Sequence, residues 1–196
     1  LKLTSDLPYS FSLLTEAGKA KVWFLQGKME HVERWLKENS YSNTDEIVTS
    51  RENDEIVAYR DLGHIILARY KFANGEIDEC MYLLEKLTLY QEKLGRQLLL
   101  IEVLLLQAQV FEVRGNITGA LGAVIRALHL AEKGQCIRVF LNEGRPVAKM
   151  IKRLVDEKHD IPRQFALKLL ADFTIDDAPE SKIPQQPEML SEREHE

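Results

Sequence analysis

Residues 97–120 read QLLLIEVLLLQAQVFEVRGNITGA, and this stretch decides the fold. Leu98 to Ile101 and Val103 to Leu106, interrupted only by Glu102, place apolar side chains in almost every direction around a helix axis. A helix of that kind is buried on most sides, so the segment Gln97 to Arg114 belongs at the centre of the molecule. Gly115-Asn116 then supplies a pair that tolerates the left-handed conformation at a helix end. Ile117 to Glu132 resumes helical spacing, with Ala120, Leu121, Val124, Leu128 and Ala131 on one face.

Working outward, the same unit recurs. Phe11 to Asn39 contains two helical segments broken at Gly27, the first through Leu14, Ala17, Ala20, Val22 and Phe24 and the second through Met29, Val32, Trp35 and Leu36. Ser40 to Asp54 is rich in Ser, Asn, Thr, Asp and Glu and reads as a loop. Ile56 to Ala73 repeats Tyr59, Leu62, Ile66 and Tyr70 and stops at Asn74-Gly75; the next helix carries Ile77, Cys80, Leu84, Leu87 and Leu94 to Gly95. Small residues flank each turn at fixed offsets: Ala20, Ala68 and Ala108 seven positions before Gly27, Gly75 and Gly115, and Val32, Cys80 and Ala120 five after. They let the two helices of a unit approach closely. A further pair is expected from Ile137 to Glu157 and from Pro162 to Phe173, with Val147, Met150, Ile151, Leu154 and Val155 at helical intervals.

Helix-turn-helix units that bury their apolar faces only by stacking on one another define the tetratricopeptide pattern, whose period is about 34 residues. The glycines here are 48 and 40 apart, a stretched variant. The expected fold is therefore all-α, a tetratricopeptide-like superhelix of antiparallel helix pairs over 1–173. Beyond Phe173 the composition changes to proline, glutamine and acid, so 174–189 reads as a flexible linker. Leu190 to Glu196 contains Ser191 and Glu194 in capping-box spacing, the first turn of another helix.

Composition excludes several functions. The longest nearly apolar run, Leu98 to Leu106, is far below the ~18 residues of a membrane span. The opening residues form no secretory signal, and the missing initiator Met suggests a piece of a longer protein. Cys80 and Cys136 are too far apart for a disulfide framework or a metal pair and read as reduced packing residues of a cytoplasmic protein. Of the formal charge of −5, residues 172–196 hold −6 and the rest about +1, which argues against nucleic-acid binding by this body. His31, His64, His129, His159 and His195 show no metal-ligand spacing. Glu76, Asp78 and Glu79 stand at a helix start, where they favour its dipole. No nucleophile elbow occurs and neither Cys has a histidine beside it in sequence, so no catalytic residue is expected. Trp23 and Trp35 lie at helical spacing beside Gly27 and read as core.

Recognition is expected on the inner face of the first helix of each pair, which lines the groove of such a stack. Counting back from the glycines gives Arg69 and Phe72 in one repeat and Gln109 and Glu112 in the next. The string Arg138-Val139-Phe140-Leu141-Asn142-Glu143-Gly144 adds Arg138, Phe140 and Glu143. Arg138 and Glu143 either meet an effector or join in an ion pair that orients Pro146 at a helix start.

The stretch Lys21 to Gly27 running on to Arg34-Trp35-Leu36, the three repeats, and Arg138 to Pro146 together resemble the helical-repeat region of the large ATP-dependent, MalT-like transcription regulators of the LuxR family. Leu190 to Glu196 is similar to the first residues of the helix-turn-helix domain in those proteins. The resemblance implies a regulator with an ATPase, a winged-helix segment, a superhelical domain that receives an inducer or partner protein, and a DNA-binding domain. This chain would be the third part, with an inducer, regulatory protein or peptide in its concave groove and no cofactor of its own. ATP would belong to a domain before it and DNA to one after it, since no phosphate-cradling Gly-Lys-Ser/Thr string is present. No membrane partner is expected. The alternative is a scaffold of helical repeats that self-associates or holds domains apart without a ligand.

Overall fold

The computed structural model describes residues 9–41 and 55–175. They are helical throughout, with no strand: α1 Tyr9–Leu25, α2 Met29–Glu38, α3 Glu55–Ala73, α4 Ile77–Leu94, α5 Gln97–Val113, α6 Ile117–Gly134, α7 Ile137–Leu141, α8 Arg145–Asp156 and α9 Arg163–Ile175. The expected all-α, tetratricopeptide-like architecture is what they form. The linker over 176–189, the helix start at 190–196 and most of the Ser40–Asp54 loop lie outside the described residues, and α9 reaches Ile175, past the boundary expected at Phe173.

One turn is used again and again. At Gly27, Gly75 and Gly115 the backbone is left-handed, with φ of 70°, 78° and 73°. The following N–H then donates back to the last turn of the helix: Lys28 to the Trp23 carbonyl at 2.9 Å, Glu76 to Lys71 at 2.9 Å and Asn116 to Phe111 at 2.8 Å. This closure satisfies carbonyls that the helix end would leave open. The turns between pairs are of the same kind, at Gly95 (φ 65°) and Gln135 (φ 48°). The small residues do what their spacing predicted. Ala20, Ala68, Ala108, Val32 and Cys80 are wholly buried and Ala120 nearly so, and the Cys80 thiol donates to the Ala68 carbonyl at 3.2 Å. Burial pushes that thiol up to about 12, so it is a packing group.

Helix α5 is the spine. Every residue from Leu100 to Val110 is buried. Val103, Leu106 and Val110 face a core built with α1 to α4, whereas Leu100, Ile101, Leu104, Leu105 and Ala108 face a second core built with α6 to α9. The central place read from its composition is thus correct.

One expectation fails. The single helix over Ile137 to Glu157 is two, because the chain breaks at 142–144, where Gly144 takes φ 66°, ψ −153°. Pro146 sits in the first turn of α8. A proline there lacks the N–H a continuous helix needs, and its ring would strike the carbonyl four residues back.

Near α2 an aromatic stack joins the first two pairs. Trp35 lies on Tyr41 with ring centroids 5.3 Å apart, and Tyr41 meets His64 edge-on at 5.2 Å. Tyr41 comes so near Gly63 that a Cβ there would fall 2.1 Å from its ring. Burial lowers the His64 pKa to about 4. The neutral imidazole therefore contributes stability that is complete above the unfolded value of about 6.5 and is lost as pH falls toward 4. The loss between about pH 7 and pH 5 comes to about 2 kcal/mol by linkage. Asp61, whose carboxyl is raised by burial, works in the opposite sense, and the lowered Glu102 releases its contribution only in stronger acid. Urea unfolding across this window is expected to show that slope in the wild type and to lose it in His64→Gln; an unchanged slope would refute the assignment.

Candidate functional site

The inner positions six residues before the three turn glycines are Lys21, Arg69 and Gln109, one on each of α1, α3 and α5. The structure brings them together on two glutamates. The Lys21 ammonium donates to both oxygens of Glu102 at 2.8 and 2.9 Å. Arg69 donates from Nη2 to Glu102 at 3.0 Å, and holds Glu143 in a two-pronged pair, Nη1 to Oε2 at 3.1 Å and Nη2 to Oε1. The Gln109 amide reaches the same Glu143 Oε2 at 2.9 Å. The result is a continuous ladder, Lys21–Glu102–Arg69–Glu143–Gln109, in which two cations balance two anions.

This ladder is dry. Arg69, Glu102, Gln109 and Glu143 are all buried, with Glu143 only 4% exposed, while Lys21 is half-buried at one end. Burial opposes ionisation of Glu102, yet the Arg69 and Lys21 charges outweigh it and hold the carboxyl below its ordinary range. Burial opposes the Arg69 charge as well, and the two glutamates raise its pKa regardless. Its Nε is buried without a hydrogen-bond partner among the described residues. Such a group leaves part of its desolvation cost uncompensated.

The geometry also skips repeats. Lys21 of α1 touches Glu102 of α5, past α3, and Arg69 of α3 touches Glu143 in the α7–α8 break, past α5. Long side chains therefore bridge units two apart, and they fill the inner face along this line.

Of the expected groove residues, Arg69, Gln109 and Glu143 thus converge, but on one another. The Arg138–Glu143 ion pair is replaced by the Arg69–Glu143 pair, and Arg138 is exposed. Phe140 is not a groove residue: it is wholly buried and meets Phe165 edge-on at 6.0 Å, inside the second core. Phe72 is half-buried against the first core. Glu112 is exposed and lines a shallow depression of about 110 Å³ with Ile117, Leu121, Lys149 and Met150. That volume is below the ~300 Å³ at which small-molecule pockets begin. Trp35 is core and Trp23 is half-buried against it. Among the described residues no three His, Cys, Asp or Glu side chains gather as metal ligands, and no helix is long and apolar enough to cross a membrane.

Compared with protein families, the chain matches the MalT-like TPR region over residues 3–157. It belongs to that family. No curated protein sequence and no solved structure gives a significant match. The MalT-like region ends at the close of α8, so α9 lies beyond the matched part. A tetratricopeptide-like repeat of this kind is generally non-catalytic.

Two ladder residues of this MalT-like region were missed on sequence. Lys21 occupies the same offset from its glycine as Arg69 and Gln109, so the same count would have found it. Glu102 is the one charge inside Leu98 to Leu106, and a lone acid in an apolar helix signals a buried partner.

Removing one member of a buried ion pair strands its partner and costs about 3–5 kcal/mol, whereas apolar replacement of all members is often neutral. Arg69→Met is expected to lose that amount in urea unfolding, and Arg69→Met combined with Glu102→Met and Glu143→Leu to recover most of it. A single variant within about 1 kcal/mol of wild type would show that the ladder is not formed.

Proposed function

We propose that this chain is the effector- or partner-receiving repeat domain of a MalT-like transcription regulator of the LuxR family, and that it works by switching between two inner-face arrangements. The ladder carries this reading. A dry, charge-balanced seam of good geometry is favourable when whole and costly when half-made, so the inner face has a closed state and an open one with little between. An inducer, peptide or regulatory protein that binds the open arrangement better shifts the population toward it. The remaining parts of the regulator follow from the resemblance: ATP is bound by a domain preceding the repeats, DNA by one that follows residue 190, and the protein acts in the cytoplasm.

The second reading, a scaffold that holds domains apart or self-associates, is favoured by the same closed inner face, because a filled groove suits a rigid spacer. Thermal unfolding of the chain against a panel of small metabolites and synthetic peptides separates the two. A ligand present at about a hundred times its Kd adds about 2.7 kcal/mol, which corresponds to a rise of roughly 5–10 °C in Tm for a domain of this size. If the ligand selects the open inner face, Glu143→Gln, which weakens the seam, increases its affinity. A flat response across the panel, with light scattering that grows with concentration, would overturn the sensor reading in favour of the scaffold.

A further inference from the structure

The ladder fills one row of the inner face, at the position six residues before each turn glycine. One helical turn further along, four residues on, the same face of α1, α3 and α5 carries Leu25, Ala73 and Val113. Each is the last residue of its helix and stands two before its glycine. One turn in the opposite direction the equivalent residues, Ala17, Ile65 and Leu105, are wholly buried. On the turn side the row is open. Leu25 is 44% exposed and Val113 52%, with Ala73 half-buried between them, and Phe24 and Phe72 are half-buried beside it. An apolar side chain left in water at the same place in successive units forms a line along the rim of the inner face, of the kind that marks an interaction surface.

The spacing of the line selects what it can hold. Helix α1 packs on α3 and α3 on α5, and packed helices lie about 8–10 Å apart. An extended chain of the polyproline type has three residues per turn and rises about 3.1 Å per residue, so every third side chain returns to one side after about 9 Å. A β-strand does not match, since its repeat of two residues advances only about 7 Å. Beyond Val113 the line has an end stop: Glu112, the residue before it, opens onto the depression of about 110 Å³ floored by Ile117, Leu121 and Met150, which is room for one apolar side chain.

Charge adds a second criterion. Lys28 follows Leu25 in the α1–α2 turn, and Lys149 rims the depression. Both are exposed, and neither side chain has an ion pair among the described residues. Arg153, on the same rim, is already held by Glu157 at 2.6 Å.

We propose that this row is the docking surface for an extended segment of a partner protein, with an apolar residue at every third position, one on each first helix and the last in the depression, and with an acid at either end for Lys28 and Lys149. The proposal rests on the partner-receiving reading and deepens it: the partner lies one turn away from the ladder and touches none of its five residues.

Fluorescence anisotropy of two labelled peptides on the whole chain tests this. DLPQLPQLPQLD has leucine at every third position, and DPLQLPLQLPQD has the same residues with leucine at every second. The first is expected to bind at least about five-fold more tightly. Leu25→Ser combined with Val113→Ser is expected to weaken it about ten-fold, and Lys28→Glu combined with Lys149→Glu about five-fold. All four positions are exposed, so an unchanged urea midpoint is expected and separates lost contact from lost folding. Leu89→Ser, at an apolar site 69% exposed on α4, is expected to leave binding as it was. Equal binding of the two peptides, binding of neither, indifference to either double change, or an equal loss in Leu89→Ser would overturn the docking surface. Glu143→Gln answers a separate question. Binding that needs the row and ignores Glu143→Gln keeps the docking surface and removes its coupling to the ladder, and tighter binding in that variant keeps both. Failure of the row leaves the metabolite panel standing as the test of the sensor reading.

Discussion

The interaction on which the rest depends is the sharing of one buried guanidinium, Arg69, between carboxylates from two other parts of the chain. Taking a charge out of water costs several kcal/mol, and the interior returns that only when the geometry is right and the remaining donors are met. Arg69 meets Glu102 and Glu143 only if α3, α5 and the α7–α8 break hold one mutual register, and Lys21 extends the demand to α1. A slip of one helical turn anywhere among them would leave an ion alone in the core. Other ion pairs, such as the half-buried Arg96 with the buried Asp61 at 2.6 Å and the more exposed Arg126 with Glu92, join neighbouring units only. Where they are exposed they contribute ~0–1 kcal/mol each and tolerate slippage. The ladder therefore selects one superhelical winding from those that stacked helix pairs could adopt.

This changes what kind of solenoid the molecule is. An ordinary repeat array gains stability from each unit and its nearest neighbours, and its parts open independently. Here two links skip a unit, and α5 sends Val103, Leu106 and Val110 into one core and Leu100, Leu104 and Leu105 into the other. Loss of either half exposes a helix that has no polar side to turn to water. The two cores are thereby coupled through a single helix, an arrangement that favours cooperative opening over the separate opening of hairpins.

How much of this could be read from the residues follows from what periodicity encodes. The turns were legible because left-handed backbone at Gly27, Gly75 and Gly115 has a compositional mark, and the close helix contacts because Ala20, Ala68 and Ala108 repeat at a fixed offset. The break at 142–144 had its mark too, in Gly144 and Pro146, but the helical spacing of Val147 to Val155, which lies wholly after it, was extended back to Ile137 as one helix. Offset counting named Arg69 and Gln109 as inner residues and missed the equivalent Lys21. It could not say what they face. Glu143 lies 74 residues from Arg69 and only five from Arg138, and proximity in sequence suggested the wrong partner. Phe140 failed for a related reason: it was grouped with Arg138 and Glu143 of the same string, whereas its ring packs in the second core against Phe165. Periodicity fixes the face a residue occupies, and the winding of the superhelix decides whether that face is open.

The closed seam also constrains what can open it. Something entering between α1, α3 and α5 separates Glu102 or Glu143 from Arg69, and a ligand with only apolar groups would then leave a guanidinium buried without a counter-charge. The cost of that state, several kcal/mol for the ion, offsets much of what an apolar contact of a few side chains returns at about 0.8 kcal/mol per buried methylene. An occupant of the seam would have to bring an acceptor of its own to Arg69, or bind at the Lys21 end, where the ammonium is partly exposed and water can reach it. An occupant able to replace a carboxylate at Arg69 would therefore face a smaller cost than one that only fills space.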